Sequence, residues 1–145
     1  MEELKLVLDQ SVIDKYAQYY FEKHPRAKKK PIEHPYHPSI NVWCILPRVQ
    51  MNAMKQKWKD FCVWWINDMG LANKKIDNFD LIETVYYGTK RRHDVDNILP
   101  KFILDGFTES GFIVDDDEKH LHNLILKTGY DKDNPRTEFE LILKD

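Results

Sequence analysis

The 145-residue chain has only two cysteines, Cys44 and Cys62, and no CxxC pairing. So few thiols exclude a disulfide framework and point to a reducing compartment, expected to be the cytoplasm. Long apolar runs are missing as well: the longest obvious one, Phe61 to Ile66, falls far short of the roughly eighteen residues of a membrane-spanning helix. The opening MEELKLVLDQ is acidic and so unlike a secretory leader. Internal repeats and long polar tracts are absent, and the length suits one folded domain over residues 1–145. A net charge of −2 gives no whole-molecule attraction to a polyanion.

What the charge lacks in sum it has in distribution. Lys23, Arg26, Lys28, Lys29 and Lys30 form one basic run, Lys55, Lys57 and Lys59 a second, and Lys90, Arg91 and Arg92 a third. The third directly precedes Asp94. Acid gathers at Asp115 to Glu118 and in the last fifteen residues. Any one run reads as solvated surface, but cations beside carboxylates also suit the handling of phosphate, which the carboxylates alone would repel.

The hydrophobic patterns predict a mixed set of elements. Leu4, Leu6 and Leu8 alternate as in a short strand, and Ser11 to His24 follows as a helix that Ser11 can cap and Pro25 stops. Residues 25–38 carry four prolines and read as an extended, mobile loop. Met51 to Met69 is the clearest helix, with Met54, Trp58, Phe61 and Trp65 on its buried stripe and Trp64 beside it at a possible interface. Residues 79–87 alternate as a strand, Ile98 to Ser110 is a helix ended by Gly111, and Leu121–Tyr130 and Arg136–Leu143 are expected to form an antiparallel hairpin. The expected fold class is α+β, a small mixed sheet with helices packed on it.

Two aspartate clusters flank the 98–110 helix. In extended chain, side chains two apart share a face, so Asp94 and Asp96 would present two carboxylates together. Such a pair repels itself unless a hard cation such as Mg²⁺ or Mn²⁺ is bound. A return turn at Gly111 can bring Asp115 or Asp116 back alongside. These acidic turns are equally readable as a helix-capping aspartate and a solvated loop. His34 with His37, or His120 with His122, could supply two zinc ligands each, although no further Cys or His accompanies them. His93, next to Asp94, is a candidate for phosphate contact or proton transfer.

The run Asp94-Val-Asp96-Asn97, then Lys101, Asp105 and Gly106, then Ser110-Gly111-Phe112 and Asp115-Asp116, resembles the signature of the RusA family of Holliday-junction resolvases. Lys101 and Asp105 keep the family's i, i+4 spacing and Asp105 to Asp115 its span of ten, while Pro38-Ser39-Ile40-Asn41 is similar to its early Pro-Ser-x-Asn loop. The resemblance implies a RusA-like fold, with residues 9–35 as an inserted helix and basic loop. It implies catalytic roles for Asp94, Asp96, Asp116 and Lys101, and a Mg²⁺ site, with Mn²⁺ a substitute, made by Asp94, Asp96, Asp116 and their neighbour Asp115. DNA contacts fall to Lys90, Arg91, Arg92, Lys28, Lys29, Lys30 and Asn41. The implied activity is paired, symmetric cutting of four-way DNA junctions by a homodimer, bacterial or phage-encoded, in recombination and repair. One residue is added between Asn97 and Lys101, with Pro100 in this stretch, which alters the approach of Lys101. A branched-DNA binder that does not cut, and a nuclease for flaps or other replication intermediates, are the alternative expectations.

Overall fold

The computed structural model describes residues 2–144; residues 1 and 145, the ends of the expected domain, lie outside the described residues. The elements in chain order are β1 (Glu2–Leu8), α1 (Gln10–Lys23), α2 (Ile40–Trp43), α3 (Arg48–Asp68), β2 (Phe79–Tyr87), a 3₁₀ turn (Val95–Asn97), α4 (Lys101–Ser110), β3 (Leu121–Tyr130) and β4 (Arg136–Leu143). Helices and a four-stranded mixed sheet make this a small α+β fold, as the alternating patterns predict. No helix among the described residues is long and apolar enough to cross a membrane.

Local chemistry sets the helix ends. Asp9, not Ser11, caps α1: its carboxylate accepts from the Val12 amide at 3.2 Å, which satisfies one of the free N–H groups of the first turn. At the other extreme, Gly111 ends α4 with φ +81°, a left-handed conformation that lets the Phe112 amide reach back to the Phe107 carbonyl at 3.0 Å. The stripe predicted on α3 is buried as expected, through Trp58, Phe61 and Trp65. Trp64 lies beside that stripe and packs on Tyr16 of α1, with ring centroids 5.1 Å apart, so its interface is internal.

The α3–α4 crossing depends on one missing methyl. A Cβ on Gly106 would stand 2.4 Å from the Cβ of Cys62 and 3.2 Å from the Lys59 carbonyl, so only glycine allows this approach. Around the crossing, Trp65, Phe107 and Phe139 join the helices to the sheet with centroid separations of 5.7 to 6.5 Å.

The sheet order is β1-β4-β2-β3; β1 and β2 run antiparallel to β4, and β2 runs parallel to β3. This corrects the expected hairpin, because β2 lies between β3 and β4. The link from Asp131 to Pro135 can do this: strands two apart are about 10 Å distant, and five extended residues reach roughly 17 Å. The Asp131 amide donates to the Tyr87 carbonyl at 2.9 Å as the chain passes over the end of β2. β2 is buried at every second residue from Phe79 to Tyr87, and Thr84 is the one buried side chain on its other face.

Residues 25–38 are not the loose loop expected of four prolines. Ile32 and His37 are buried, and the Thr137 hydroxyl on β4 donates to the Pro35 carbonyl at 2.8 Å. The segment is thereby tied to the sheet.

Glu83, in the middle of β2, is fully buried with neither carboxylate oxygen hydrogen-bonded. Burial alone pushes its carboxyl up to about 8. The folded state therefore holds a proton at neutral pH that the unfolded chain, ionising near 4.5, has released. The stability that Glu83 contributes is fully present below that unfolded value and is lost as pH rises toward about 8, by up to about 1.4 kcal/mol per pH unit. In chemical denaturation across this window the stability difference between wild type and Glu83→Gln should change with pH; a difference independent of pH there would contradict a neutral buried carboxyl. In a second test, Gly106→Ala should cost about 1–3 kcal/mol through overpacking and lower the melting temperature. An unchanged melt would mean that the helices do not approach so closely.

Candidate metal and nucleic-acid site

The aspartate loop is anchored where β2 ends. His37 donates from Nδ1 to the Pro38 carbonyl at 2.8 Å, which leaves Nε2 to accept from the Tyr87 hydroxyl at 2.7 Å. Burial lowers the pKa of His37 and thus favours the neutral ring that this arrangement requires. Burial also pushes the Tyr87 hydroxyl up to about 12, so it stays a donor. His93 stacks flat on Tyr87, with centroids 3.5 Å apart, and the Tyr36 hydroxyl accepts from the Gly88 amide at 3.2 Å. Both ends of the basic loop are held.

Asp94 caps the 3₁₀ turn with extended backbone; its side chain is about half exposed and lies 3.3 Å from Arg92 Nε. Asp96 is exposed within the turn. Asn97 supplies the tie: its side-chain oxygen accepts from the Ser39 hydroxyl at 3.0 Å and from the Asn41 amide at 2.8 Å. Ser39 and Ile98 form an antiparallel bridge, and the Leu99 amide donates to the Pro38 carbonyl at 3.2 Å. The Pro38–Asn41 stretch and the Asp94–Asn97 turn, more than fifty residues apart in sequence, thus form one structural unit. Part of that stretch is helical, since Ser39 caps the short α2, an element the sequence reading did not include.

A second acidic group forms on the far side of α4. Asp115 accepts from the Asp116 amide at 2.7 Å. The Asp116 carboxyl is raised by partial burial first, then by its contact with Asp115 and the charge of Asp105, while Lys101 pulls the other way. Lys101 Nζ lies 3.7 Å from the Asp105 carboxylate. The backbone at Ile98 is extended, and Lys101 lies within electrostatic reach of Asp116. Asp105 was not among the expected site residues; its i, i+4 spacing from Lys101 was the available signal. Asp117 stands apart from this group, paired with His120, whose bond lowers the Asp117 pKa and whose own pKa is raised in return.

Among the described residues no three His, Cys, Asp or Glu side chains are grouped to hold a metal ion. The donors do suit Mg²⁺ in its open form, in which one or two carboxylates bind and water or substrate phosphate fills the remaining positions. They do not suit zinc. Both ring nitrogens of His37 are engaged, His120 bonds Asp117 and lies 3.4 Å from Asp77, and His122 bonds Asn78 at 3.2 Å.

Two of the basic runs meet. Lys29 and Lys30 face Lys57 of α3 across a groove of about 610 Å³ that also reaches Ser39. Lys90 and Arg91 line a separate pocket of about 380 Å³ with His93 and Tyr130, where Lys90 Nζ sits 5.3 Å above the Tyr130 ring. The first groove is thus lined partly by Pro38 and Ser39 of the anchored stretch, and the second by His93, next to Asp94 in the chain. Compared with known proteins, the chain matches no protein-family model, and no curated protein shows significant similarity to it.

Replacing Asn97 by alanine should release the Ser39–Asn41 stretch. The expected result is faster hydrogen exchange at the Asn41 amide and a loss of about 1 kcal/mol for the side-chain hydrogen bonds. Unchanged exchange at Asn41 would show that the amide of Asn97 does not join the two segments.

Proposed function

We propose that the chain is a Mg²⁺-dependent endodeoxyribonuclease for branched DNA, of the RusA kind, that cuts four-way junctions as a homodimer. The observation that carries this reading is the meeting of Lys101, Asp105, Asp115 and Asp116 at one place, in a chain whose turn just before α4 bears Asp94 and Asp96. A phosphodiester needs acids to hold a cation and a cation of the protein's own to offset phosphate charge; both residue types are present together. Asp94, Asp96 and Asp116 would hold Mg²⁺, with Asp115 as their neighbour. Bound there, the ion supplies Lewis-acid stabilisation of charge on the phosphoryl oxygens.

The chain's own residues have distinct tasks in this reading. Lys101, held near Asp105, faces the non-bridging oxygens of the scissile phosphate. Lys90, Arg91 and Arg92 grip neighbouring phosphates and so fix the strand's position without reading its sequence. Lys29 and Lys30 hold a second stretch of backbone in their groove, and Asn41 contacts DNA next to the turn it helps to fix. The ties from Asn97 to Ser39 and Asn41 keep the aspartate turn in place when the polyanion arrives.

The test is a labelled synthetic four-way junction with and without Mg²⁺. Wild type should nick two opposing strands at symmetric positions, and Asp96→Asn should lower the rate at least about a thousandfold, as expected when a catalytic charge is lost. No metal-dependent nicking by wild type would sink the reading. Alanines at Lys90, Arg91 and Arg92 should weaken binding at low salt and reduce the salt dependence by about one phosphate contact each.

The absence of a ready three-ligand group among the described residues favours a second reading, a branched-DNA binder that does not cut. Tight junction binding in Mg²⁺ with no product would support it.

A further inference from the structure

The groove of about 610 Å³ beside the Pro38–Ser39 stretch has two unlike kinds of lining. Ile32, Val42, Leu46, Met54 and Trp58 make its apolar part, drawn from residues 25–38, α2, the link to α3 and α3 itself. Lys29, Lys30 and Lys57 make its cationic part, against a single acid, Glu33. None of these three lysines is in an ion pair among the described residues. Leu46 and Gln50 bring the groove to the start of α3, a helix with no side-chain cap and no acid in its first turn. The positive pole of that helix therefore adds to the lysines.

The walls are fixed before any ligand arrives. Ile32 and His37 are buried, the Thr137 hydroxyl donates to the Pro35 carbonyl, and the Ser39 hydroxyl donates to Asn97. A preformed groove spares its ligand part of the cost of ordering a loop. Apolar side chains are also left in water at its border: Val42 is 52% exposed, and Ile45 and Val49, the chain neighbours of Leu46 and Gln50, are 79% and 80% exposed. Apolar groups gathered at the surface in this way mark an interaction site.

We propose that this groove takes an acidic peptide segment of a partner protein, with its carboxylates on Lys29, Lys30 and Lys57 and a bulky apolar side chain against Val42, Leu46 and Met54. A DNA strand matches only the lysines. Its sugar–phosphate backbone has no aliphatic side chain to bury, and base stacking needs an open aromatic face. The tryptophan of the lining, Trp58, is only 6% exposed. An acidic peptide with an apolar anchor matches both parts, and a buried anchor carries much of the affinity of such a contact. The peptide site does not depend on the nuclease reading, but it bears on it. Lys29 and Lys30, which that reading gives to DNA backbone, are shared, so peptide and DNA exclude each other at this groove.

Fluorescence anisotropy of the full chain with labelled peptides tests this at about 0.15 M salt, where distant charges are screened. The probes are aspartate runs with a Leu-Phe pair before or after them. One of the two orders should bind saturably, and exchanging Leu-Phe for Ala-Ala should weaken it at least about tenfold. Val42→Asp and Lys57→Glu, both at exposed positions, should each weaken it about tenfold with unchanged circular dichroism. Lys55→Glu, on the same helix but outside the groove, should change it by no more than about twofold. No saturable binding of either probe overturns the proposal. So does binding indifferent to both Ala-Ala and Val42→Asp, which would mark a purely cationic channel for nucleic acid. A peptide that binds as expected but leaves junction binding untouched would retain this site and remove Lys29 and Lys30 from the DNA contacts; junction cutting with no peptide bound would do the reverse.

Discussion

The whole arrangement depends on β2 being held from both sides. Its apolar Phe79, Leu81, Val85 and Tyr87 are buried together on one face, and the backbone groups of both its edges are paired by a strand on each flank. β4 takes one flank antiparallel and β3 the other in parallel. That placement has a cost inside the strand, where Glu83 is shut away from water without a partner, and a consequence outside it, where β3 becomes an open edge. It also decides where the candidate site stands. The chain leaves β2 at Tyr87 into the basic loop and the aspartate turn, and it returns through α4 and the acidic loop to begin β3.

The site is secured by hydrogen bonds to backbone and ring groups more than by ion pairs. Tyr87, stacked against His93 and bonded to His37, fixes the root of the loop. Asn97 fixes its far end on Ser39 and Asn41. Exposed ion pairs such as Arg92 with Asp94 contribute little to holding such a loop, because water screens them. The exposed carboxylates and cations therefore bear little of the structural load, which falls to neutral partners.

Much of this was legible in the sequence, for identifiable reasons. The 79–87 alternation matched β2 to the residue, and the Trp58–Trp65 stripe placed α3, because burial imposes a period on side chains. The hairpin failed because a short link between two strand-like runs is compatible with pairing and with bridging a third strand. Ser11 lost the cap to Asp9 because both are good acceptors two residues apart, and pattern alone does not rank them. On the site side, Asp94-Val-Asp96-Asn97 and Asp115-Asp116 stood out as acidic pairs and Lys101 with Asp105 as an i, i+4 pair, whereas the His37–Tyr87 bond needed three dimensions. No spacing rule joins residues fifty positions apart.

The central claim is that the turn carrying Asp94 and Asp96 and the loop carrying Asp115 and Asp116 share one cation. Paramagnetic broadening by substoichiometric Mn²⁺, followed through the backbone amide resonances, tests this without relying on activity. The account predicts that the amides of residues 94–97 and 115–117 broaden together and first, and that excess Mg²⁺ reverses the effect. Broadening confined to one of the two segments, or centred elsewhere on the surface, would contradict it.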